Sequence, residues 1–312
     1  MALIITEEQK LLKDSAAEFL AMNAPVEQFR DLRDSNYKPF NENLWKQIVD
    51  MGWTSLTISE EFDGLDFGFV GLGQVLEEMG KTLTKAPLFS SIVLGATALS
   101  NSSNQKLKET WLPMLMDGSK RIAFAQDEHN YFDPTAIVTS AKKSSDGFLI
   151  SGKKTMIIDG AGADTFVVVA RTDEGEPALF MVNSSAKGVS LTSEILLDAG
   201  TYASVTFDNV EVTANDRISD VGNGTVLLNQ ILNTASICLA SEMLGIVKEA
   251  FSQTVEYLKE REQFGKRIGS YQALQHRAAI MFSEIELCKS IVITALQALH
   301  YGADNLDELA SL

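Results

Sequence analysis

Between Ile137 and Val210 the sequence changes its period. The runs IVTSA (137–141), FLISG (148–152), TFVVVAR (165–171), ALFMV (178–182) and ASVTFDNV (203–210) are short, rich in β-branched and aromatic residues, and divided by turn residues. Asp146-Gly147 is a hairpin signal between the first two. No helix-period segment separates these runs. They predict an antiparallel barrel or sandwich and argue against a βαβ nucleotide-binding fold.

Helical periodicity brackets this β region on both sides. Thr6 and Gln9 form a capping-box pattern before an apolar-periodic run through Leu12, Ala16 and Phe19. Asn41 can cap a second helix carrying Leu44, Ile48 and Val49. From Phe69 to Met79, the residues Leu72, Val75, Leu76 and Met79 share one face. Helices are also expected over 90–100 and 103–117, the second ending at the Asp117-Gly118 turn. From about Gly224 two very long helices follow. In the second of them Leu274, Ala278, Met281, Ile285, Cys288, Val292, Ala295 and Leu299 recur at alternating spacings of four and three, a heptad-like seam for lengthwise packing. Most of that seam reads as intramolecular core, and a third helix starts at Asp304 or Asn305. The class is therefore α+β, with an N-terminal helical domain (1–118), a central β domain (119–219) and a C-terminal long-helix bundle (220–312).

Composition narrows the partners. A net charge of −16 disfavours nucleic acid and anionic membranes, and an anionic ligand needs local basic patches against that field. The two cysteines, Cys238 and Cys288, have no partner spacing, so no disulfide framework is expected. The opening MALIITEEQKLL lacks a basic n-region and an Arg/Ser-rich transit pattern. The most apolar stretch, Ile231 to Ile246, is broken by Asn233, Ser236, Ser241 and Glu242, so no membrane span is expected. The expected location is cytoplasmic.

The chemistry concentrates in REQFGKRIGSYQALQHRAA, from Arg261 to Ala279. Arg261, Phe264 and Gly265 mark a helix end, and Gln272 opens the next helix after a short basic loop. A guanidinium suits phosphate, a ring suits an adenine or ribose face, and an amide suits a polar edge. Taken singly, Arg261 reads as a solvated helix-end cation and Phe264 as a C-terminal staple. His129, His276 and His300 are scattered and form neither metal nor triad spacing.

The spelling R-x-x-F-G, with Gln seven residues past the glycine, resembles the FAD-binding segment of the acyl-CoA dehydrogenase family. The resemblance covers the whole chain in family order, through TEEQKLLKDSAAEFL, LISGKKTMIIDGAGADTFVVVAR and LGIVKEAFSQTVEYLKEREQFG, and looks incomplete at the C-terminal end. It implies α,β-dehydrogenation of an acyl-CoA thioester, in which a glutamate takes the α proton and the flavin takes the β hydride. By the same resemblance, Arg261, Phe264 and Gln272 hold the adenosine-diphosphate end of FAD, across a dimer interface, and an electron-transfer flavoprotein is the electron acceptor.

Other positions depart from the family. Its first β-domain loop is close to T-E-P-G-A-G-S-D; here the run is Gln126-Asp127-Glu128-His129-Asn130-Tyr131-Phe132-Asp133, without glycines and with an amide for the hydroxyl. The family's W-I-T or W-I-S reads Met156-Ile157-Ile158, so a stacking Trp becomes Met and a hydroxyl becomes Ile. Gln126, Met156 and Ile158 are the candidate ring-side residues. Gln126 can still donate an amide hydrogen bond, and Met156 can pack on a ring or serve as plain core.

The substrate side departs as well. A common family arginine aligns with Ser236. One family position for the catalytic glutamate aligns near Thr234 and Ala235, neither a base, and the commoner position lies beyond Leu312. Glu242 is displaced by about two turns. Three readings follow: a dehydrogenase whose base lies past Leu312, a subunit that completes the flavin site of a catalytic homologue, or a structural relative without flavin. Some family members that handle steroid-CoA side chains are heterotetramers with half their sites intact, and the chain looks like such a subunit. The expected assembly is at least a dimer, with itself or with a catalytic homologue.

Overall fold

The computed structural model describes residues 5–34, 39–129, 131–196 and 200–312. Helices α1 (Glu7–Asn23), α2 (Val26–Asp34), α3 (Glu42–Asp50), α4 (Gly68–Thr82), α5 (Thr97–Ser100) and α6 (Gln105–Met116) come first. Strands β1 (Ile122–Ala125), β2 (Ser140–Lys143), β3 (Gly147–Ile158), β4 (Thr165–Thr172), β5 (Pro177–Asn183), β6 (Val189–Ile195) and β7 (Thr201–Thr213) follow. The chain ends with α7 (Gly224–Glu260), the short hairpin β8 (Glu262–Gln263) and β9 (Lys266–Arg267), α8 (Gln272–Tyr301) and α9 (Leu306–Ser311).

Local chemistry accounts for several boundaries. The Thr6 hydroxyl accepts from the Gln9 amide at 3.2 Å while the Gln9 side chain accepts from the Thr6 amide at 2.9 Å, closing the expected capping box. Asn41 caps α3 by accepting from the amides of Asn43 and Leu44. The expected helix over 90–100 is a π-helical stretch, Phe89–Ala96, running into α5. The Asp146-Gly147 signal falls at the β2–β3 hairpin.

The chain divides into two compact units that interleave the three sequence segments. The first comprises the described residues of Met1–Phe29, Phe67–Thr84 and Ser236–Leu312; the second, those of Arg30–Asp66 and Lys85–Ala235. The second unit holds the sheet, ordered β1-β4-β2-β3-β7-β6 with β5 on the other side of β4. β2–β3, β3–β7, β4–β5 and β6–β7 are antiparallel as expected, but β1 and β2 both run parallel to β4. Its core is Ile150, Phe166, Phe180, Val205 and Phe207, all essentially inaccessible. Ile137–Thr139 are not strand, while β3 extends to Ile158 and carries two of the ring-side candidates, Met156 and Ile158.

In the first unit α4 and α7 approach without side chains between them. A Cβ on Gly245 would stand 1.8 Å from the Glu77 carbonyl oxygen, and one on Gly80 2.0 Å from that of Glu242. The Ser241 hydroxyl donates to the Gly73 carbonyl at 2.7 Å. Beside this crossing Glu77 is buried between two ammonium groups, Lys13 of α1 and Lys248 of α7, each at 2.6 Å. Burial pushes the Glu77 carboxyl up, but the two lysines outweigh it and hold it below the ordinary value.

The seam of α8 is core only in part. Ile285, Val292 and Ala295 are buried, but Met281 is 38% exposed and Cys288 is exposed. Toward its start α8 is mostly exposed off the seam, while the seam residues Leu274, Ala278 and Leu299 are half-buried, so most of the seam packs as expected. One correction concerns α7. By length and composition it could cross a bilayer, since its polar residues are too sparse to lower the average. Several of them serve packing, as Ser241 and Lys248 do on α4.

Gly245→Ala should destabilise the protein by about 1–3 kcal/mol, because the backbone clash outweighs the helix propensity gained. Denaturant midpoints of wild type and variant test this. An unchanged or raised midpoint contradicts the close α4–α7 contact.

Candidate functional site

The residues singled out in sequence fall into two groups, one in each compact unit. The first lies where α7 ends. The Arg261 amide still donates to Tyr257 at 2.9 Å, and the Arg261 carbonyl accepts from Ile268 at 2.8 Å, so the chain doubles back. β8 and β9 pair Glu262 with Arg267 and Gln263 with Lys266. Phe264 and Gly265 form the turn, both left-handed with φ of 54° and 78°. A two-residue turn of this hand matches strand twist, but a phenylalanine there costs about 1–2 kcal/mol. Phe264 is 91% exposed and recovers almost none of that cost by burial.

Other side chains brace this hairpin. The Lys266 ammonium lies 4.1 Å from the Tyr271 ring centre, and the Gln275 amide donates to the Gly269 carbonyl at 2.9 Å. Gln272 opens α8 and is exposed, as is Arg261. The structure thus sets Arg261 at the hairpin base, Phe264 at its tip and Gln272 at the following helix start. The donor set fits a pyrophosphate and an adenine or ribose face, with a planar cation, an exposed ring and a free amide edge.

The second group surrounds β3. Gln126 is 5% exposed, directly after β1, and its carbonyl accepts from the Lys154 ammonium at 2.8 Å. Lys154 itself is fully buried and also bonds the Glu128 carboxylate at 2.7 Å. Glu128 takes the amides of Val138 at 2.7 Å and Thr139 at 2.9 Å. Burial raises the Glu128 carboxyl, but Lys154 and these amides outweigh it and hold it below the ordinary range. Asp127 differs: burial raises its carboxyl, Lys154 opposes only in part, and Oδ1 has no hydrogen-bond partner.

Met156 is left-handed, φ 54°, at a register shift between Lys154 and Ile157, and Ile158 is 37% exposed. The His129 ring stacks on Tyr131 with centres 5.2 Å apart. Asn130 lies outside the described residues. Neither 126 nor 158 carries a hydroxyl, and the Gln126 amide is the one side-chain donor among Gln126, Met156 and Ile158, so the group fits a flavin ring poorly.

Thr234 is buried and its hydroxyl donates to the Gln230 carbonyl at 2.9 Å; with Ala235 beside it, neither position offers a base. Glu242 is partly buried further along α7. Ser236 lines an aliphatic cavity of about 330 Å³ with Ala240, Met243, Val247 and Ile291. Burial pushes the Cys238 thiol up to about 12. Among the described residues no cluster of three metal-ligating side chains occurs.

Sequence reading missed the Lys154–Glu128 pair and Asp159. Phe148, Ile150 and Lys154 share a parity on β3, a period-2 signal that Lys154 points inward. Asp159 gave no such signal. It is left-handed, φ 55°, half-buried, and accepts from the Ser90 hydroxyl at 2.7 Å, tying the π-helical stretch to the end of β3.

Models of the acyl-CoA dehydrogenase N-terminal, middle and C-terminal domains match residues 6–119, 123–210 and 222–312. The chain is 30% identical to the mitochondrial isovaleryl-CoA dehydrogenase of Bos taurus, over 96% of this chain and 72% of the relative. It resembles a chain of the ChsE4-ChsE5 complex from Mycobacterium tuberculosis, with TM-score 0.90 and 25% identity over 100% of this chain and 82% of that one. A chain in a structure concerning the electron transferring flavoprotein of Acidaminococcus fermentans gives TM-score 0.91 and 27% identity, covering 100% and 83%.

Burial pushes the Asp159 carboxyl from 3.8 up to about 6, against the pull of Ser90, Lys85 and Thr201. A carboxyl raised on folding favours the fold when protonated. Its stabilisation is complete below about pH 4 and is lost as pH rises through about 6. Asp159→Asn should therefore flatten the stability profile between pH 4 and 7 and raise stability at pH 7 by up to about 3 kcal/mol. Melting curves across that range check this; a profile identical to wild type contradicts it.

Proposed function

The chain belongs to the acyl-CoA dehydrogenase family, and we propose that it serves FAD-linked α,β-dehydrogenation of an acyl-CoA thioester as a subunit that completes the flavin site of a catalytic homologue. One observation carries this reading. Arg261, Phe264 and Gln272 are all exposed, and the phenylalanine is held on a left-handed turn with 91% of its surface free. A ring kept outward at such a backbone cost suits a ligand held with another chain.

In this reading Arg261 forks onto the pyrophosphate, Phe264 covers a flat face of the adenosine, and Gln272 fixes a polar edge. Bound FAD supplies a two-electron acceptor for the β hydride. Thr234 and Ala235 provide no base, so the proton-abstracting glutamate comes from outside residues 1–312. The exposed first half of α8 gives the assembly an apolar face. An electron-transfer flavoprotein is the proposed electron acceptor and the cytoplasm the proposed location, and the net charge of −16 disfavours anionic membranes and nucleic acid as partners.

A second reading, a structural homologue without flavin, is favoured only by the missing hydroxyls at 126 and 158. One substitution separates the two. In a flavin-containing complex Arg261→Ala should remove a contact worth about 1.5–3 kcal/mol and weaken flavin retention about tenfold to hundredfold. Arg261→Lys should recover part of it, because an ammonium lacks the planar fork. Flavin dissociation is measured beside melts of the flavin-free protein. Unchanged flavin affinity with a lowered melting point would make Arg261 a structural helix-end residue.

A further inference from the structure

The ring-side group of residues does more than lack hydroxyls. Lys154 has no accessible surface, and its ammonium is held at 2.8 Å by the Gln126 carbonyl and 2.7 Å by Glu128. Glu128 in turn fixes the amides of Val138 and Thr139, at the far end of the same excursion. The Thr155 amide adds a bond to the Asp127 carbonyl at 2.8 Å. Both ends of the excursion between β1 and β2 are thus tied to β3 through one buried ion pair.

We propose that this ion-pair lock, with Asp127 beside it, keeps an isoalloxazine ring out of this chain's own ring-facing site, so that an assembly containing the chain carries flavin only on the partner's ring pocket. The second clause rests on the clamp reading above; the exclusion rests on the lock and its neighbour Asp127. Two physical effects act together. Opening the excursion around a ring would separate Lys154 from Glu128 in a place without water, and an unpaired buried charge is expensive. Asp127 presents a carboxylate oxygen with no partner, and a flavin ring gains negative charge on reduction. Gln126, Met156 and Ile158 supply no hydroxyl to offset either effect.

The test uses the full chain with FAD and FMN as probes. After incubation with excess flavin and desalting, the wild type should retain none, while the Val138 and Thr139 amides stay protected from hydrogen exchange with or without flavin. One flavin retained per chain, or protection of 126–139 that rises on adding FAD, overturns the exclusion. Lys154→Met combined with Glu128→Gln removes both charges at once, so neither is left buried alone. Those two amides should then exchange about tenfold faster or more, with a cooperative melt retained. Exchange as slow as in wild type overturns the lock. If the double variant does not fold, the wild-type flavin count and amide protection still decide. Flavin retained by the isolated chain would sink the exclusion and leave the clamp standing. Flavin affinity in a complex that ignores Arg261→Ala would sink the clamp and leave the exclusion standing.

Discussion

The backbone contact between α4 and α7 fixes the position of everything that follows it in the first unit. With 1.8 Å between a hypothetical Cβ at Gly245 and the Glu77 carbonyl, neither helix can be displaced by a side chain. Glu77, gripped by Lys13 and Lys248, adds a charge that must stay paired, because a buried carboxylate without its lysines is costly. The α7 residues beyond this crossing lead without a break to Glu260, so the contact sets where Arg261 emerges. In the proposed clamp, Arg261 gains precision from a rigid helix that a free loop would not give.

The two groups of candidate residues show opposite electrostatic designs. Around Phe264 the charges of Arg261, Lys266 and Arg267 stand in solvent, where each costs little and remains available to an anion. Around Lys154 the ammonium and the Glu128 carboxylate are buried and answer one another, and Asp127 beside them keeps one oxygen without a partner. Burial makes that cluster rigid and specific, and leaves it nothing with which to meet a neutral ring. On the proposed reading, the exposed hairpin residues are left to meet a ligand, while those around Lys154 serve as structure.

Much of this was legible in the residues. Capping chemistry at Thr6 and Asn41, the hairpin at Asp146-Gly147 and the apolar face of α4 are local rules, and local rules held. The trio Arg261, Phe264 and Gln272 was readable because its spacing spans one hairpin. Features set by distant partners were not. β1 and β6 were missed; β1 is only four residues long, and its pairing is with β4, far along the chain. Ile137–Thr139 has strand composition, but Glu128 takes two of its amides instead of a neighbouring strand. The α8 seam carries one period throughout, yet its fully buried members begin only at Ile285, so periodicity alone could not tell core from free face.

The central claim is that this chain's outward clamp closes a flavin site only together with another chain. Sedimentation velocity of the flavin-containing assembly, read at the protein and flavin absorbances over a dilution series, tests that directly. The account predicts that flavin travels only with species of two or more chains and is released in step as they dissociate. A monomer of this chain sedimenting with its flavin at the lowest concentrations would contradict it.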